Sequence, residues 1–304
     1  MAHRLWLEVA LNGNWGRRLQ PQIPISAAQL IAEGLACADE GAAIIHLHTY
    51  DEQSGAPRMD ADAYARVIDG IRSKRDVIVY PTVDSERTPG SDLSMVGPER
   101  YAVIETLAAR KLLEWSAVDP GSVNLVTYAA LEREAAGLTY LNPKSDVRAG
   151  LAQCVRHDLR PSYAIYEPGF LRLGAALAAC TAGLRSPLYR FMFSDGMTFG
   201  MPPREYALSA YRSLMDEFAP GAAWMVAGYM VDPTPLIPSI VAAGGHLRVG
   251  LEDAPLGSEH SNVQWVTSAA RAVVRQGSDL APAKEIRAAL EARDTAAQRA
   301  RVKG

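Results

Sequence analysis

Nowhere in this 304-residue sequence does an apolar run reach the roughly 20 residues that a helix needs to cross a bilayer. Cysteine is scarce: Cys37, Cys154 and Cys180 are odd in number and far apart, which excludes a disulfide framework and predicts buried thiols in a reducing compartment. Charge of either sign is barely in excess, the formal net charge being −3, so there is no broad basic field to favour nucleic acid or an anionic membrane surface. The opening MAHRLWLEVALNG meets Asn12 and Gly13 before an apolar stretch of signal-peptide length can form, which predicts a cytoplasmic protein. No G-x-G-x-x-G follows the first apolar run, and this counts against a dinucleotide-binding open sheet. Internal repeats, low-complexity tracts and interdomain linkers are missing as well.

What the chain does contain is a rhythm. Short apolar runs alternate with helix-length amphipathic stretches, the pattern of repeated βα units. Expected strands are residues 5–11, 43–48, 77–82, 115–119, 162–167, 188–194, 223–228 and 247–252, eight in all, the number of a (β/α)8 barrel. Ser26 with Gln29 three residues on predicts a capped helix start, and Gly41 marks its end. Tyr64, Val67, Ile68 and Ile71 fall on one face of a second helix. The expected organisation is one α/β TIM-barrel catalytic domain over residues 1–276, followed by a C-terminal helical extension over 277–304 with a polar tip. A doubly wound open sheet is the rival. Polar residues at or near strand C-terminal ends, His48, Thr82, Asp119, Glu167, Ser194 and Glu252, favour the barrel, whose enzymes place their chemistry at that face.

His46 and His48 end an apolar strand, and residues two apart on a strand point to the same side, so their imidazoles can meet at one point. An H-x-H pair alone is as readily a pair of hydrogen-bonded histidines near a strand end. A catalytic zinc site needs a third protein ligand, and Glu252 is the best candidate. In GGHLRVGLED it shares a strand face with Arg248 and Gly250, and closure of a barrel sets the last strand beside the first, one strand away from the histidines. His3, His157, His246 and His260 are read as non-ligands, His246 being the least secure of these. Two imidazoles and a carboxylate also suit iron, cobalt or nickel.

Three stretches together resemble the β-keto acid cleavage enzymes: GAAIIHLHTYDEQSGAPRMD (41–60), AGGHLRVGLED (243–253) and WMVAGY (224–229), with the resemblance extending over about residues 5–275. It implies a zinc-dependent barrel, oligomeric and tetrameric, with His46, His48 and Glu252 as ligands. The reaction it implies takes a β-keto acid and acetyl-CoA to acetoacetate and a new acyl-CoA. The resemblance also implies that Arg248 and Asp253 form the dyad that activates the substrate, and that Thr82 and Ser122 supply hydroxyls to its carboxylate end. A carboxylate beside a cation is a weak base, so burial has to counter Arg248 if Asp253 is to take a proton.

The chain departs from the family in three places. PTVDSERTPG (81–90) has Thr82 for serine and lacks the Thr-Gly-Gly that follows it, with Val83–Ser85 in its place. Asn14 and Trp15 follow Gly13 where relatives carry a glutamate, and Ala164 stands where they carry another. Both losses argue against a cationic amino substrate. Asn14, Trp15 and Tyr50 then become candidates for substrate contact, the two aromatics facing an apolar or cation-bearing tail. Glu8 is an unusual residue for a first strand and is read as a polar group inside the barrel. Two other readings stay open: a metal-dependent hydrolase on the same fold, and a catalytically inactive barrel that binds a metabolite.

Overall fold

The computed structural model describes residues 3–83, 99–132 and 137–303. Eight parallel strands form a nearly closed barrel: β1 Leu7–Ala10, β2 Ile44–Leu47, β3 Ile78–Pro81, β4 Trp115–Val118, β5 Arg160–Ile165, β6 Leu188–Phe193, β7 Trp224–Gly228 and β8 His246–Val249. Each overlaps one of the eight stretches expected from the sequence. Hydrogen bonding runs β3-β2-β1-β8-β7-β6-β5-β4, so the first strand pairs with the last and the open-sheet alternative is excluded. At the seam between β3 and β4 the rings of Tyr80 and Trp115 meet, with centroids 5.8 Å apart.

Helices cover the outside: α1 Ala27–Asp39, α2 Ala61–Arg72, α3 Ala102–Ala109, α4 Lys144–His157, α5 Pro168–Ala179, α6 Glu205–Phe218, α7 Ile237–Ala242 and α8 Asn262–Arg275. The Ser26/Gln29 capping box opens α1, and Tyr64, Val67, Ile68 and Ile71 are the buried stripe of α2, both as the spacing predicts. A short antiparallel hairpin, Val123–Leu125 with Leu138–Tyr140, is inserted after β4; its three-residue strands are too short to show a period in the sequence. Cys37 and Cys154 are buried, as expected. Cys180 departs from that expectation: it is the residue that ends α5, on the solvent side, and is exposed.

Odd-numbered residues of β1, such as Leu7 and Val9, face the helices, while the alternate positions point into the barrel. Read from bottom to top, these inward positions change in character. Trp6, just before β1, is followed by Glu8; Ile44 of β2 by His46 and, just past the strand, His48; and Leu188 of β6 by Arg190. The bottom layer is an apolar cluster sealed by α9 Ala283–Lys303, whose Ile286 and Leu290 pack with Trp6, Ile44, Ile78 and Met225. Residues 279–290 are thus tied to the barrel, also through a parallel pairing of Asp279–Leu280 with Arg4–Leu5.

Candidate metal centre and active site

β2 ends at Leu47, yet His48 is held as if the strand continued. The buried side chain of Asn12 stands in for a neighbouring strand, accepting from His48 N and donating to His48 O, each at 2.9 Å. His46 and His48 therefore keep the two-residue alternation and face the same side. On β8 the chain does something else. Strand geometry stops at Val249, and Gly250, at φ +133°, turns the backbone so tightly that a Cβ there would lie 2.3 Å from Ala10 O. The turn closes with Asp253 N and Ala254 N donating to Gly250 O at 3.1 and 2.9 Å. Glu252 does not share a strand face with Arg248, the placement that the alternation predicts, but arrives through this turn. The difference has a chemical consequence, because consecutive strand residues point to opposite faces. The turn lets both Glu252 and Asp253 reach Arg248.

His46 Nε2 and His48 Nε2 each lie 3.5 Å from Glu252 Oε2. Ligand atoms around a tetrahedral zinc with bonds of about 2.1 Å are separated by about 3.4 Å, so this spacing fits a shared cation. His48 Nε2 and Glu252 Oε2 are also buried with no protein hydrogen-bond partner, as atoms reserved for a ligand would be. His48 Nδ1 and Asn14 Oδ1 are 2.7 Å apart; Nδ1–H donates, which leaves the Nε2 lone pair to face the centre. Burial, opposed by Glu252, holds His46 well below the ordinary histidine pKa, in the neutral form that a metal requires. Burial pushes Glu252 up, but Arg248, then His46 and His48, outweigh it and keep the carboxylate well below its usual range. Among the described residues no other histidine joins the cluster. His246 stacks on Trp6 at the bottom of the barrel, rings 3.7 Å apart, with its Nδ1 accepting from Trp6 N.

Arg248 grips Asp253 in a two-pronged pair, Nε to Oδ2 at 2.8 Å and Nη2 to Oδ1 at 2.6 Å, and also donates to Glu252 Oε1 at 2.9 Å. Burial raises Asp253, Arg248 pulls it down, and burial prevails: the carboxyl is pushed up to about 6. That is the balance a proton-accepting carboxylate needs. Beneath the dyad, Glu8 accepts from Tyr80 Oη at 2.6 Å, Arg190 Nη2 at 2.9 Å and Arg248 Nη1 at 3.4 Å. Arg190 and Tyr80 were not singled out from the sequence. The available signal was an arginine in the apolar run LYRFMF, which has to find a carboxylate when buried.

A cavity of about 450 Å³ opens over these groups and is lined by His48, Glu252, Asp253, Asn14, Trp15 and Thr82 among others. Trp15 Nε1 donates to Glu252 O at 2.7 Å, so the ring both lines the cavity and steadies the backbone of Glu252. Ser122 and Tyr50 are not brought to it. Ser122 is exposed, its Oγ accepts from Asn142 N at 2.8 Å, and it borders a separate hollow with Glu167 and Thr198. Tyr50 is buried in the wall, where its hydroxyl donates to Gly13 O at 2.5 Å. Of Val83–Ser85, Asp84 and Ser85 lie outside the described residues.

A family described as beta-keto acid cleavage enzyme matches residues 4–291. Among curated relatives, the 3-oxoadipate:acetyl-CoA acetyltransferase of Cupriavidus necator is 26% identical over 81% of this chain and 79% of its own length. The 3-dehydrocarnitine:acetyl-CoA trimethylamine transferase of Rhizobium meliloti is 25% identical over 88% and 90%. A 3-keto-5-aminohexanoate cleavage enzyme of Fusobacterium nucleatum is 24% identical over 77% and 76%. The solved structure of apo ObcA superimposes with a TM-score of 0.68 at 15% identity, over 89% of this chain and 66% of that one, a likeness of fold. With a match that takes in all eight barrel strands and the first turns of the helix beneath them, the chain belongs to the beta-keto acid cleavage enzyme family.

Proposed function

We propose that this protein is a zinc-dependent enzyme that converts a β-keto acid and acetyl-CoA into acetoacetate and a new acyl-CoA. The observation that carries the reading is the joining of two units in one cavity: a three-residue metal cradle and, one residue along the chain from its carboxylate, an Arg–Asp pair. A divalent ion held by His46, His48 and Glu252 supplies Lewis acidity toward a keto oxygen. The names of the relatives, which pair keto acids with acetyl-CoA, support the co-substrate.

In this reading the residues of the chain divide the work. Asp253 takes the proton from the carbon between ketone and carboxylate. Arg248 keeps both Asp253 oxygens aimed and cannot itself lose a proton, so the transferred proton stays on Asp253. Glu8 anchors the far side of Arg248 and stops the guanidinium from following the substrate out of the barrel. The reading gives Thr82 the part of meeting the substrate carboxylate, since it lines the cavity while Ser122 does not; its hydroxyl, which donates to Val83 O at 3.2 Å, would turn to the substrate. The tetramer implied by family resemblance belongs to the same proposal and is checked by light scattering.

The test is elemental analysis of the purified protein, followed by an acetoacetate assay with acetyl-CoA over a panel of β-keto acids. Near-stoichiometric zinc and acetoacetate formation that depends on acetyl-CoA are expected. Glu252→Gln should lower bound zinc and turnover together, because it removes the charged ligand of the cradle. Full activity in metal-free protein, or release of product without acetyl-CoA, would overturn the reading.

A further inference from the structure

Of the residues in the metal cradle, Glu252 stands furthest from regular structure. β8 ends at Val249, and Gly250, at φ +133°, turns the chain off the strand before Glu252 is reached. Strand pairing therefore does not hold this carboxylate in place. The backbone on either side of it shows what does. Every donor and acceptor from Leu251 N to Glu252 O meets a group outside the turn. Leu251 N donates to Asn262 Oδ1 at 2.7 Å and Leu251 O accepts from Gln20 Nε2 at 3.0 Å. Glu252 N donates to Ala10 O at 3.2 Å and Glu252 O accepts from Trp15 Nε1 at 2.7 Å.

The two carboxamides come from separate segments: Gln20 follows the short helical turn Gly16–Leu19 beyond β1, and Asn262 is the first residue of α8. Both are fully buried, and each works with both ends of its amide. Gln20 Nε2 also donates to Pro255 O at 3.2 Å, while its Oε1 accepts from Ser258 N at 3.0 Å. Asn262 Nδ2 donates to Leu11 O at 2.8 Å and to Glu33 Oε1 at 3.0 Å. A carboxamide donates and accepts from one group and brings no charge toward the cradle. Leu251 is itself fully buried, so its N–H and C=O depend on these partners.

We propose that Gln20 and Asn262 are positioning residues of the metal centre, which hold the peptide planes on either side of the Leu251 Cα and so fix the point from which Glu252 reaches His46 and His48. Leu251 N–H belongs to the peptide shared with Gly250, and Leu251 C=O to the peptide shared with Glu252. Each peptide is planar, so the two hydrogen bonds together set both backbone torsions of Leu251. Rotation about either would carry Glu252 Oε2 away from its 3.5 Å spacing to both imidazoles. The inference rests on the proposed metal cradle and gives neither residue a contact with metal or substrate.

The experiment uses Gln20→Met and Asn262→Leu, changes of similar size that remove the hydrogen bonds, with Gln22→Ala as a control. Gln22 is exposed and ties the same turn further along, donating to Ser258 O at 3.1 Å and Glu259 O at 2.6 Å. Chelator competition gives the zinc affinity of each folded protein, visible absorption of the cobalt-loaded protein reports the geometry of its ligands, and denaturant unfolding of the metal-free protein gives its stability. Zinc binding about 10–100-fold weaker than wild type is expected for Gln20→Met and for Asn262→Leu, with an altered cobalt spectrum. Gln22→Ala should match wild type in both. A role in folding alone would lower the stability of the metal-free variants but leave the affinity and cobalt spectrum of the folded proteins at wild-type values. That result, or an equal loss of affinity in Gln22→Ala, overturns the inference and leaves the cradle standing. If one variant does not fold, the other gives the same reading. Wild-type protein that binds neither ion overturns the cradle and the inference with it.

Discussion

The two ends of the barrel are made by the same strands with the same inward alternation, yet they hold opposite chemistry. At the bottom, Trp6, Ile44, Ile78 and Met225 pack against Ile286 and Leu290 of α9, and His246 is sandwiched between the rings of Trp6 and His3. At the top, two to four residues further along the strands, stand His46, His48 and Thr82, with Asp253 beside Arg248 and a cavity in place of a plug. His46 and His246 are both buried, and burial pushes both pKa values well below the ordinary range. Burial and neutrality therefore do not make a ligand. What separates the two is a carboxylate 3.5 Å from His46 Nε2, where His246 has an indole and a backbone N–H.

If the top is built for reaction and the bottom for cohesion, changes at each end should show up in different measurements. The largest effect belongs to Asp253→Asn. It keeps the size of the side chain but removes the base, so kcat should fall by about 10²–10⁴-fold, the usual contribution of a positioned general base. Bound zinc should stay the same, because Glu252 still faces both histidines. Zinc loading followed by steady-state kinetics checks this; a fully active variant would remove Asp253 from the chemistry.

At the other end, Leu290→Ala deletes a buried side chain from the plug. A loss of about 2–5 kcal/mol in unfolding free energy is expected, the range for such core truncations. Zinc affinity of the folded protein should be unchanged. Denaturant unfolding of the wild-type and variant proteins, each with and without zinc, reads both quantities. A drop in zinc affinity equal to the drop in stability would show that the two ends are coupled through the charged middle layer of Glu8, Arg190 and Tyr80.

That middle layer is also where the sequence was hardest to read. Strand positions, the Ser26 cap and the α2 stripe follow from local periodicity, whereas closure of the barrel does not: the number of strands and the polar residues at their C-terminal ends favour it over an open sheet, and the pairing of first strand with last decides it. The histidine pair was legible because strand alternation is simple. Glu8 could be read as an interior residue, but its partners could not: they lie on β3, β6 and β8, and pairing across a barrel leaves no periodic trace in any one segment. The same holds for Asn12, whose role is to imitate a strand edge for His48, and for the turn at Gly250, where an expected strand continuation is replaced by a positive φ. Ser122 is a candidate only through the family resemblance, and its Oγ accepts from the backbone N–H of Asn142 beside a hollow separate from the cavity.

The smallest expected effect sharpens the comparison most, because it tests a support and leaves the ligands themselves in place. Asn14 Oδ1 meets His48 Nδ1 at 2.7 Å, which fixes both the tautomer and the rotation of the ring. His246 shows what an imidazole does without such help: its Nδ1 turns to accept a backbone N–H instead. Asn14→Ala should therefore weaken zinc binding by about 10–100-fold, the usual cost of losing a partner behind a metal-bound histidine. Asn14→Asp keeps an acceptor at the same place and should restore most of that loss. Chelator competition on the two variants gives the affinities. Equal affinity in wild type and Asn14→Ala would mean that the backbone clamp from Asn12 alone orients His48, and that Asn14 has no part in zinc binding.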